Sequence, residues 1–274
     1  MLRISRSRTM RRSRADHLRD SKDALSRATG LIAVVVFLTP SLVLAAGPCS
    51  LEFITAAERT YDLQAARSAL DACTLEASGT SDEALGENLT RAALLVADLD
   101  RIDFEELDPS QGKQRRALGG SIDAAADVGL ETLESLPETS CRQRLRADLL
   151  ATKIRSDFRA KKYVNEMKAA AARALELDPR NARAMVSLAK PFLFADDRHG
   201  RDLEEAVRML SEALDVDPTL ESALLLRALA FEAQGNTEAC RNDLRAAVAA
   251  NPNCRPATER LLATAPPEAG SQPD

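Results

Sequence analysis

Only two histidines occur in the chain, and they set a first limit on its chemistry. His17 lies in a basic leader, so any histidine-dependent reaction of the remaining sequence must use His199. Asp196 and Asp197 stand close to His199 and complete a triplet of metal-ligand types. No HExxH motif or cysteine pair supports a zinc site there, and no G-x-S-x-G turn supports a hydrolase. We therefore interpret this segment as a solvated turn and predict no metal.

The other acidic and cysteine patterns also lack the spacing that catalysis or cofactor binding needs. Asp98, Asp100 and Asp103 could suggest calcium, but the glycine and the terminal glutamate of an EF-hand loop are missing. No CxxC pair, glycine-rich phosphate loop or dinucleotide fingerprint occurs. The sequence therefore predicts no cofactor and a protein that is not an enzyme.

The first 45 residues have the pattern of a secretory signal peptide. Eight arginines precede an apolar run from Leu31 to Ala46, and the small residues Val43 and Ala45 fit cleavage after Ala45. The run has 16 residues, whereas a membrane span needs about 20. We therefore predict a cleaved signal and no membrane span in the mature chain. Two alternatives stay open, a retained N-terminal anchor and a lipidated Cys49, which the preceding Pro48 disfavours.

Export changes the charge of the chain and the compartment in which it folds. Without residues 1–45 the sequence holds 28 basic and 39 acidic residues, a net charge of −11. Such an acidic product is a poor match for nucleic acid, which selects basic surfaces. The prediction is an exported protein, in a bacterial periplasm or at the cell envelope, with no nucleic-acid partner.

Five cysteines remain after the leader, and an oxidising compartment favours their pairing. Cys49 and Cys73 bracket the first predicted helical stretch, and one helix with its turn separates Cys240 from Cys254. We predict the disulfides Cys49–Cys73 and Cys240–Cys254, each closing a modest loop worth about 3 kcal/mol. Cys141 is left over, either as a buried free thiol or as a reactive one.

The elements that must position these residues are helices punctuated by prolines. Pro179, Pro218 and Pro252 each follow an Asp or Asn and are spaced 39 and 34 residues apart. A proline disrupts a helix interior but fits the first turn of the next helix. Pairs of amphipathic stretches run between them, the clearest with apolar residues at i, i+3, i+4 and i+7 from Leu203 to Leu214. The pattern predicts an all-α solenoid of helical hairpins, with Gly235 in one turn.

The three C-terminal hairpins resemble tetratricopeptide repeats. That family places small residues where neighbouring helices approach, an aromatic in the hole beside them, and a proline at the end of each repeat. The unit at 148–179 departs from the pattern, because Arg155 and Met167 occupy two of its small positions. The matching residues are Phe158, Ala174 and Pro179, then Ala189, Phe192, Ala206, Ala213 and Pro218, then Ala228, Phe231, Cys240, Ala247 and Pro252. The resemblance implies a TPR-like superhelix that serves as a binding surface.

The sequence divides into four predicted segments. Residues 1–45 are the signal peptide, 46–144 form degenerate helical hairpins, 145–263 form the repeats with a terminal capping helix, and 264–274 form a disordered tail.

Two details of this division depend on local patterns. In the unit at 148–179, the apolar spacing predicts Ile154 and Phe158 on a first helix, with Lys161-Lys162-Tyr163 at the turn. The stretch 108–120 contains one proline and three glycines, and it is predicted to be a loop.

One further loop stands out by its length. It runs from Leu193 to Asp202, with aromatic residues before it and Gly200 near its end. This elongated turn resembles one in the T component of tetratricopeptide-associated TRAP transporters, although the second glycine common there is Arg201 here. That resemblance implies a periplasmic accessory subunit that partners a solute receptor or binds a small apolar ligand. The alternative is a longer solvent loop tucked against the next hairpin.

In solenoids of this kind the first helices of the hairpins line a concave face, where a partner can bind. We predict a non-enzymatic scaffold for protein–protein interaction, whose partner and oligomeric state the sequence does not identify. The accessory subunit of a TRAP-type transporter is the alternative. Candidate partner-binding residues are Arg159, Arg183, Val186, Lys190, Phe194, Leu225 and Leu229.

Overall fold

The computed structural model describes residues 47–264, which contain eleven α-helices and no strand. The predicted signal peptide and all but the first residue of the predicted tail lie outside these residues. Within this part of the chain, no helix has both the length and the apolar character of a membrane span. A 3-10 turn lies at Asp197–His199. The helices are α1 (Leu51–Thr60), α2 (Leu63–Ala77), α3 (Glu83–Glu106), α4 (Gly112–Glu134), α5 (Ser140–Thr152), α6 (Asp157–Leu177), α7 (Ala182–Phe194), α8 (Leu203–Val216), α9 (Glu221–Ala233), α10 (Thr237–Ala250) and α11 (Arg255–Ala263).

The helices pair into five successive hairpins, from α1–α2 to α9–α10, and α11 packs on the last of them. Each odd-numbered helix from α1 to α7 also contacts the next odd-numbered helix. Within residues 47–264, successive even-numbered helices do not pack to a comparable extent. The odd-numbered helices therefore form an inner layer and the even-numbered helices an outer layer. This is the all-α helical-hairpin solenoid that the sequence predicts.

Most helices begin at a residue whose side chain accepts a backbone N–H of the first turn. Such a cap satisfies one of the N–H groups that a helix start leaves unpaired, and it contributes about 1 kcal/mol. The capping residues are Ser50, Asp62, Asp82, Thr139, Ser156, Asn181, Asp202 and Asn236. Because a cap depends on one residue beside an amphipathic run, most helix starts can be read from the sequence.

The two C-terminal hairpins, α7–α8 and α9–α10, pack through small residues, as the resemblance implies. Small side chains let the backbones of neighbouring helices approach closely, and larger residues fill the space beside them. The turn between α9 and α10 contains Gly235 at φ +76°, which glycine adopts without steric cost. The small residues of the repeat pattern that are fully buried are Ala189, Ala206, Ala213, Ala228 and Ala247.

The third hairpin, α5–α6, differs from its prediction. Thr139 caps α5 and Ser156 caps α6, so the turn lies at 153–156 and not at Lys161-Lys162-Tyr163. Phe158 therefore lies on the second helix, where it is 79% exposed. Ile154 and Phe158 are four residues apart and mimic one helical face, although the break at Ser156 lies between them. The boundary predicted between residues 144 and 145 falls inside α5, which runs from Ser140 to Thr152.

The segment predicted as a loop at 108–120 is helical from Gly112 onwards, where α4 begins. Arg115 in the first turns of α4 donates to the carbonyl oxygens of Phe104 and Leu107, at 2.9 and 2.8 Å. These bonds satisfy carbonyls that the end of α3 leaves unpaired. Context thus outweighs the low helix propensity of the glycines in this stretch.

One of the two predicted disulfides is present. Cys49, just before α1, bonds to Cys73 in α2, with the Cα atoms 4.7 Å apart. Cys240 and Cys254 are buried free thiols, so that predicted pairing is corrected, and Cys141 is also free. Cys240 lies in the first turn of α10 and Cys254 follows its end. At about 1.5 Å per residue the helix separates them by about 15 Å, whereas a disulfide needs Cα atoms within about 7 Å.

Candidate protein-binding surface

The array of helices curves towards its odd-numbered helices, which brings its two ends into contact. Tyr61, at the corner between α1 and α2, donates its hydroxyl hydrogen to Glu221 at the start of α9. Arg255, at the start of α11, pairs with Asp103 and Glu106 near the end of α3, at 2.8 and 3.2 Å. We call the surface of the odd-numbered helices on this side the inner face. It corresponds to the concave face predicted from the sequence.

A buried carboxylate joins two neighbouring helices of the inner layer. Asp148 on α5 is 9% exposed, and one of its oxygens accepts from Ser187 Oγ at 2.7 Å and Lys190 Nζ at 2.8 Å on α7. Arg144 donates to the other oxygen at 3.1 Å. Burial opposes ionisation of Asp148, but the charges of Lys190 and Arg144 outweigh burial and lower its pKa to about 2. Asp148 is therefore a carboxylate at neutral pH, and it positions α7 against α5.

Two of the predicted partner-binding residues carry positive charge on α7. Lys190 is committed to Asp148, and its side chain is 25% exposed. Arg183, two turns earlier, donates to Glu58 on α1 at 3.1 Å. Both side chains of this second pair are about half exposed, at 51% and 46%, so water competes with the ion pair. Arg183 is therefore the charged candidate that stays accessible on the inner face.

Asp98 on α3 adds a second acid to this region. Its side chain is exposed, yet the surrounding protein limits its hydration and so raises its pKa above the usual range. Lys190 opposes this effect, whereas Asp148 and Glu58 strengthen it by repulsion. The inner face thus carries charges of both signs.

The apolar residues predicted to bind a partner differ in their accessibility. Val186 is 3% exposed and belongs to the core of the C-terminal hairpins. Leu225 and Leu229 on α9 are partly buried against neighbouring core clusters. Phe194, the last residue of α7, is 56% exposed. Val186 therefore cannot contact a partner in the folded repeat, while Leu225, Leu229 and Phe194 keep some accessible area.

Arg159 does not lie on the inner face, because it belongs to the outer helix α6. Its guanidinium donates to the two oxygens of Asp123 on α4, at 2.8 and 2.7 Å. Arg155 joins the same carboxylate at 2.8 Å. Arg159 thus links α6 to α4. The prediction that it lies on the first helix of its hairpin is wrong. The cause is the helix break at Ser156, which moves the following residues to the second helix.

The contact between the two ends is built around Glu221. One oxygen of Glu221 accepts from the Tyr61 hydroxyl, and the other accepts from Asn251 Nδ2 at 2.6 Å. The same hydroxyl lies 3.4 Å from Cys254 Sγ. Burial, and then the hydrogen bonds with Cys254 and Glu221, raise the pKa of Tyr61 well above its usual range. Burial also raises the pKa of the Cys254 thiol to about 11, so both groups are neutral and Tyr61 can donate.

The long loop after α7 forms a compact turn held by its own polar groups. Asp196 accepts from the backbone N–H of His199 at 2.9 Å, and its carboxylate lies 2.7 Å from His199 Nδ1. The N–H of Asp202 donates to the carbonyl of Phe192 at 2.9 Å and closes the loop at its base. In the part of the chain that the structure describes, no group of three or more His, Cys, Asp or Glu side chains is arranged to hold a metal ion.

These observations define an all-α protein of stacked helical hairpins. Residues 221–254, from the start of α9 to Cys254, match the family model of the tetratricopeptide repeat, so this segment is a repeat of that kind. A similar solved structure is the crystal structure of YrrB, a TPR protein with an unusual peptide-binding site. It is 12% identical over 80% of this chain and 95% of that chain, with a TM-score of 0.35. No curated protein matches the sequence, and none of these comparisons confirms the resemblance to a TRAP T component.

Sequence reasoning missed the residues that organise the inner face. Asp148 stands between Ala147 and Leu149 on a helix that is buried on most sides, and a lone acid in such a place was the available signal. Tyr61 and Glu221 are 160 positions apart, and nothing near either residue indicates the other. The pairs that close the array can therefore be found only from the tertiary structure.

Proposed function

We propose that the protein is a non-enzymatic scaffold that binds another protein through its inner face. Proteins built from tetratricopeptide repeats bind other proteins or peptides, and stacked hairpins offer extended curved surfaces for this purpose. The observation that carries the proposal is the accessible guanidinium of Arg183 on α7, in a face that also presents the acids Glu58 and Asp98. This face carries charges of both signs, and Leu225 and Leu229 on α9 are partly exposed beside them. Such a mixture of charged and apolar groups is suited to binding a segment of another protein.

We also propose that the protein is exported to a bacterial periplasm or the cell envelope. Support comes from the signal pattern of residues 1–45 and from the Cys49–Cys73 disulfide, because such bonds persist in oxidising compartments. The test is osmotic-shock fractionation of cells that express the full chain. Release of a shortened protein that starts near residue 46 is the expected result. Recovery of the full-length chain in the cytoplasm would contradict it.

A site-specific photo-crosslinker tests the binding surface without redesigning it. We expect a crosslinker at Arg183, in cells, to give discrete adducts with a partner protein. The matched control is Arg208 on the outer helix α8, which is 52% exposed and also engaged in ion pairs with neighbouring acids. The proposal fails when position 183 gives no adduct, or when both positions give the same adducts.

A second candidate function is the accessory subunit of a TRAP-type transport system. The observation that favours it is Phe194, a large apolar side chain that is 56% exposed at the start of the long loop. Native mass spectrometry of the purified protein tests for a co-purified apolar ligand, and a binding assay tests for a solute receptor. Substituting Phe194→Ser should abolish whichever interaction is found. Absence of both interactions in the unmodified protein removes this candidate.

A further inference from the structure

Tyr61 has an uncommon backbone conformation at the corner between the first two helices. Its φ of 54° and ψ of 37° are left-handed, and no other non-glycine residue within 47–264 has a positive φ. For a residue with a Cβ atom this conformation costs about 1–2 kcal/mol. Its backbone N–H, which caps α1 by donating to the carbonyls of Ala57 and Glu58, and the contacts of its side chain together offset that cost.

Those contacts lie on repeats near the other end of the chain. Glu58, in the last turn of α1, pairs with Arg183 on α7. Tyr61, three residues later, donates to Glu221 on α9 and lies against Cys254 before α11. The carboxylate of Glu58 and the phenol of Tyr61 therefore both lie against a surface formed by α7, α9 and the residue before α11.

The surface that receives this turn is held in place by contacts of its own. We call Arg183, Glu221, Asn251 and Cys254 the receiving surface. Asn251 fixes one oxygen of Glu221, and Cys254 is buried in the core of the C-terminal hairpins. The bonds of Asp148 hold α7, which carries Arg183, against α5. The receiving surface is therefore expected to keep its geometry when Tyr61 leaves.

The other contacts between the two ends are weak. Arg183 and Glu58 are 51% and 46% exposed, and Arg255 with its partners Asp103 and Glu106 is between 40% and 48% exposed. Exposed ion pairs of this kind contribute about 0–1 kcal/mol each. The main closing contact is thus Tyr61, which is partly buried, donates to Glu221 and packs its ring on the core of the C-terminal hairpins.

We propose that the receiving surface binds a helical segment of a partner protein that presents a carboxylate and, one turn later, a tyrosine. Arg183 takes the carboxylate, and Glu221, already oriented by Asn251, accepts the phenolic hydrogen. The α1–α2 corner is an internal competitor that occupies this surface until the partner displaces it. The inference rests on the proposed scaffold function and specifies the chemistry of its partner.

Competition of this kind makes the apparent affinity depend on how often the two ends separate. The apparent dissociation constant equals the intrinsic one divided by the fraction of molecules in the separated state. A minor state of about 1–10% would weaken the apparent affinity about 10-fold to 100-fold. Removing the side chains of Glu58 and Tyr61 should restore most of that affinity.

Cys254 reports the separation, because it is fully buried and its Sγ lies 3.4 Å from the Tyr61 hydroxyl. The first experiment labels the full chain with a maleimide and follows Cys254 and Cys240 separately by peptide mass spectrometry. The variant Tyr61→Gly removes the side chain and suits the left-handed φ. We expect Cys254 to react about tenfold faster or more in this variant, with Cys240 unchanged at the other end of α10. Equal Cys254 rates in variant and wild type overturn the closing role.

Faster reaction of both Cys254 and Cys240 in Tyr61→Gly would indicate that this variant unfolds. The milder variant Tyr61→Phe then tests the closing role. It keeps the ring and removes only the hydroxyl that Glu221 accepts. We expect a Cys254 rate between those of the wild type and Tyr61→Gly, with Cys240 protected. A wild-type rate in Tyr61→Phe would overturn the role of the hydroxyl.

The second experiment uses a fluorescent peptide of residues 51–62 as the probe of the receiving surface. We expect it to bind the full-length variant Glu58→Ala/Tyr61→Gly about tenfold more tightly, or better, than the wild type. A peptide with alanine in place of both residues should not bind. The matched control Glu52→Ala/Thr55→Ala changes exposed residues of the same helix and should behave as wild type. No binding to any variant, or equal binding to all, overturns the inference.

These outcomes separate this inference from the proposed function. Adducts from a crosslinker at Arg183 would support the scaffold function even when the peptide fails to bind. Failure of the peptide to bind would then contradict only the proposed recognition of a carboxylate and a tyrosine one turn later. Loss of the same adducts when the peptide is added in excess would support both.

Discussion

Asp148 accepts hydrogen bonds from Ser187 and Lys190 on α7 and from Arg144 on its own helix. Asparagine in its place would leave two cations beside an uncharged amide in a mostly buried position. Breaking a buried pair is strongly destabilising, so we expect Asp148→Asn to lower the free energy of unfolding by about 3 kcal/mol. Urea denaturation measures the change. Asp197→Asn, at a side chain that is 86% exposed, is the control and should change stability by less than about 0.5 kcal/mol.

The two acids near the inner face should give pH dependences of opposite sign. The pKa of Asp148 is lowered from 3.8 to about 2, so its stabilisation is complete above that ordinary value and is lost as the pH falls towards 2. The pKa of Asp98 is raised, so its ionisation disfavours the fold and stability rises as the pH falls from 7 towards 4. We expect Asp98→Asn to reduce the rise in the free energy of unfolding between pH 7 and pH 4. We expect Asp148→Asn to reduce only the loss of stability at lower pH. Urea denaturation across this pH range measures both slopes, and an unchanged slope in Asp98→Asn would contradict the assignment.

At the scale of the elements, alanine substitutions at two glycines of α4 distinguish the effect of helix propensity on stability from the effect of packing. A Cβ at Gly129 would lie 2.8 Å from Leu149 Cδ1, a fully buried group of α5. A Cβ at Gly120 would meet nothing within 4 Å. Alanine is better than glycine in a helix by about 1 kcal/mol, so Gly120→Ala should be stabilising by that amount. Gly129→Ala should be destabilising by about 1–3 kcal/mol, because crowding outweighs propensity. Thermal unfolding compares them, and equal gains would show that α5 can move away.

The disulfide between Cys49 and Cys73 ties the start of α1 to α2. Their sequence separation of 24 gives a loop whose closure should contribute about 3 kcal/mol. We expect Cys49→Ser/Cys73→Ser to lower the free energy of unfolding by that amount, and a reductant to do the same to the wild type. Chemical denaturation measures both. Cys141→Ser, at a free and partly exposed thiol, is the control and should stay within about 0.5 kcal/mol.

The helices differ in how well local sequence predicts them. The hairpins α7–α8 and α9–α10 follow the prediction because the caps of α7, α8 and α10, the small positions and the glycine turn agree. The α5–α6 hairpin departs from it because one serine cap interrupts an apolar spacing that continues across the break. Contacts of Arg115 with the end of α3 likewise turn a glycine-rich stretch into helix.

At the scale of the whole described array, half-exposed ion pairs lie around the partly buried phenol of Tyr61 where the two ends meet. Salt screens exposed pairs, since the Debye length falls from about 10 Å at 0.1 M to about 3 Å at 1 M. We expect maleimide labelling of Cys254 to rise about twofold to fivefold over that range, as pairs worth about 0–1 kcal/mol weaken. Cys240 should not respond. A salt-independent rate at Cys254 would show that Arg183 and Arg255 play no part in closing the array.

The sequence by itself determined the all-α class, most helix starts, the C-terminal hairpins and the Cys49–Cys73 bond. These features depend on caps, apolar periods and turns that act over a few residues. Only the tertiary structure decided that Tyr61 meets Glu221, that Arg159 bonds to Asp123 and that Val186 is buried. Each hairpin adds a small rotation to the one before it, and only the sum over five hairpins brings distant residues together.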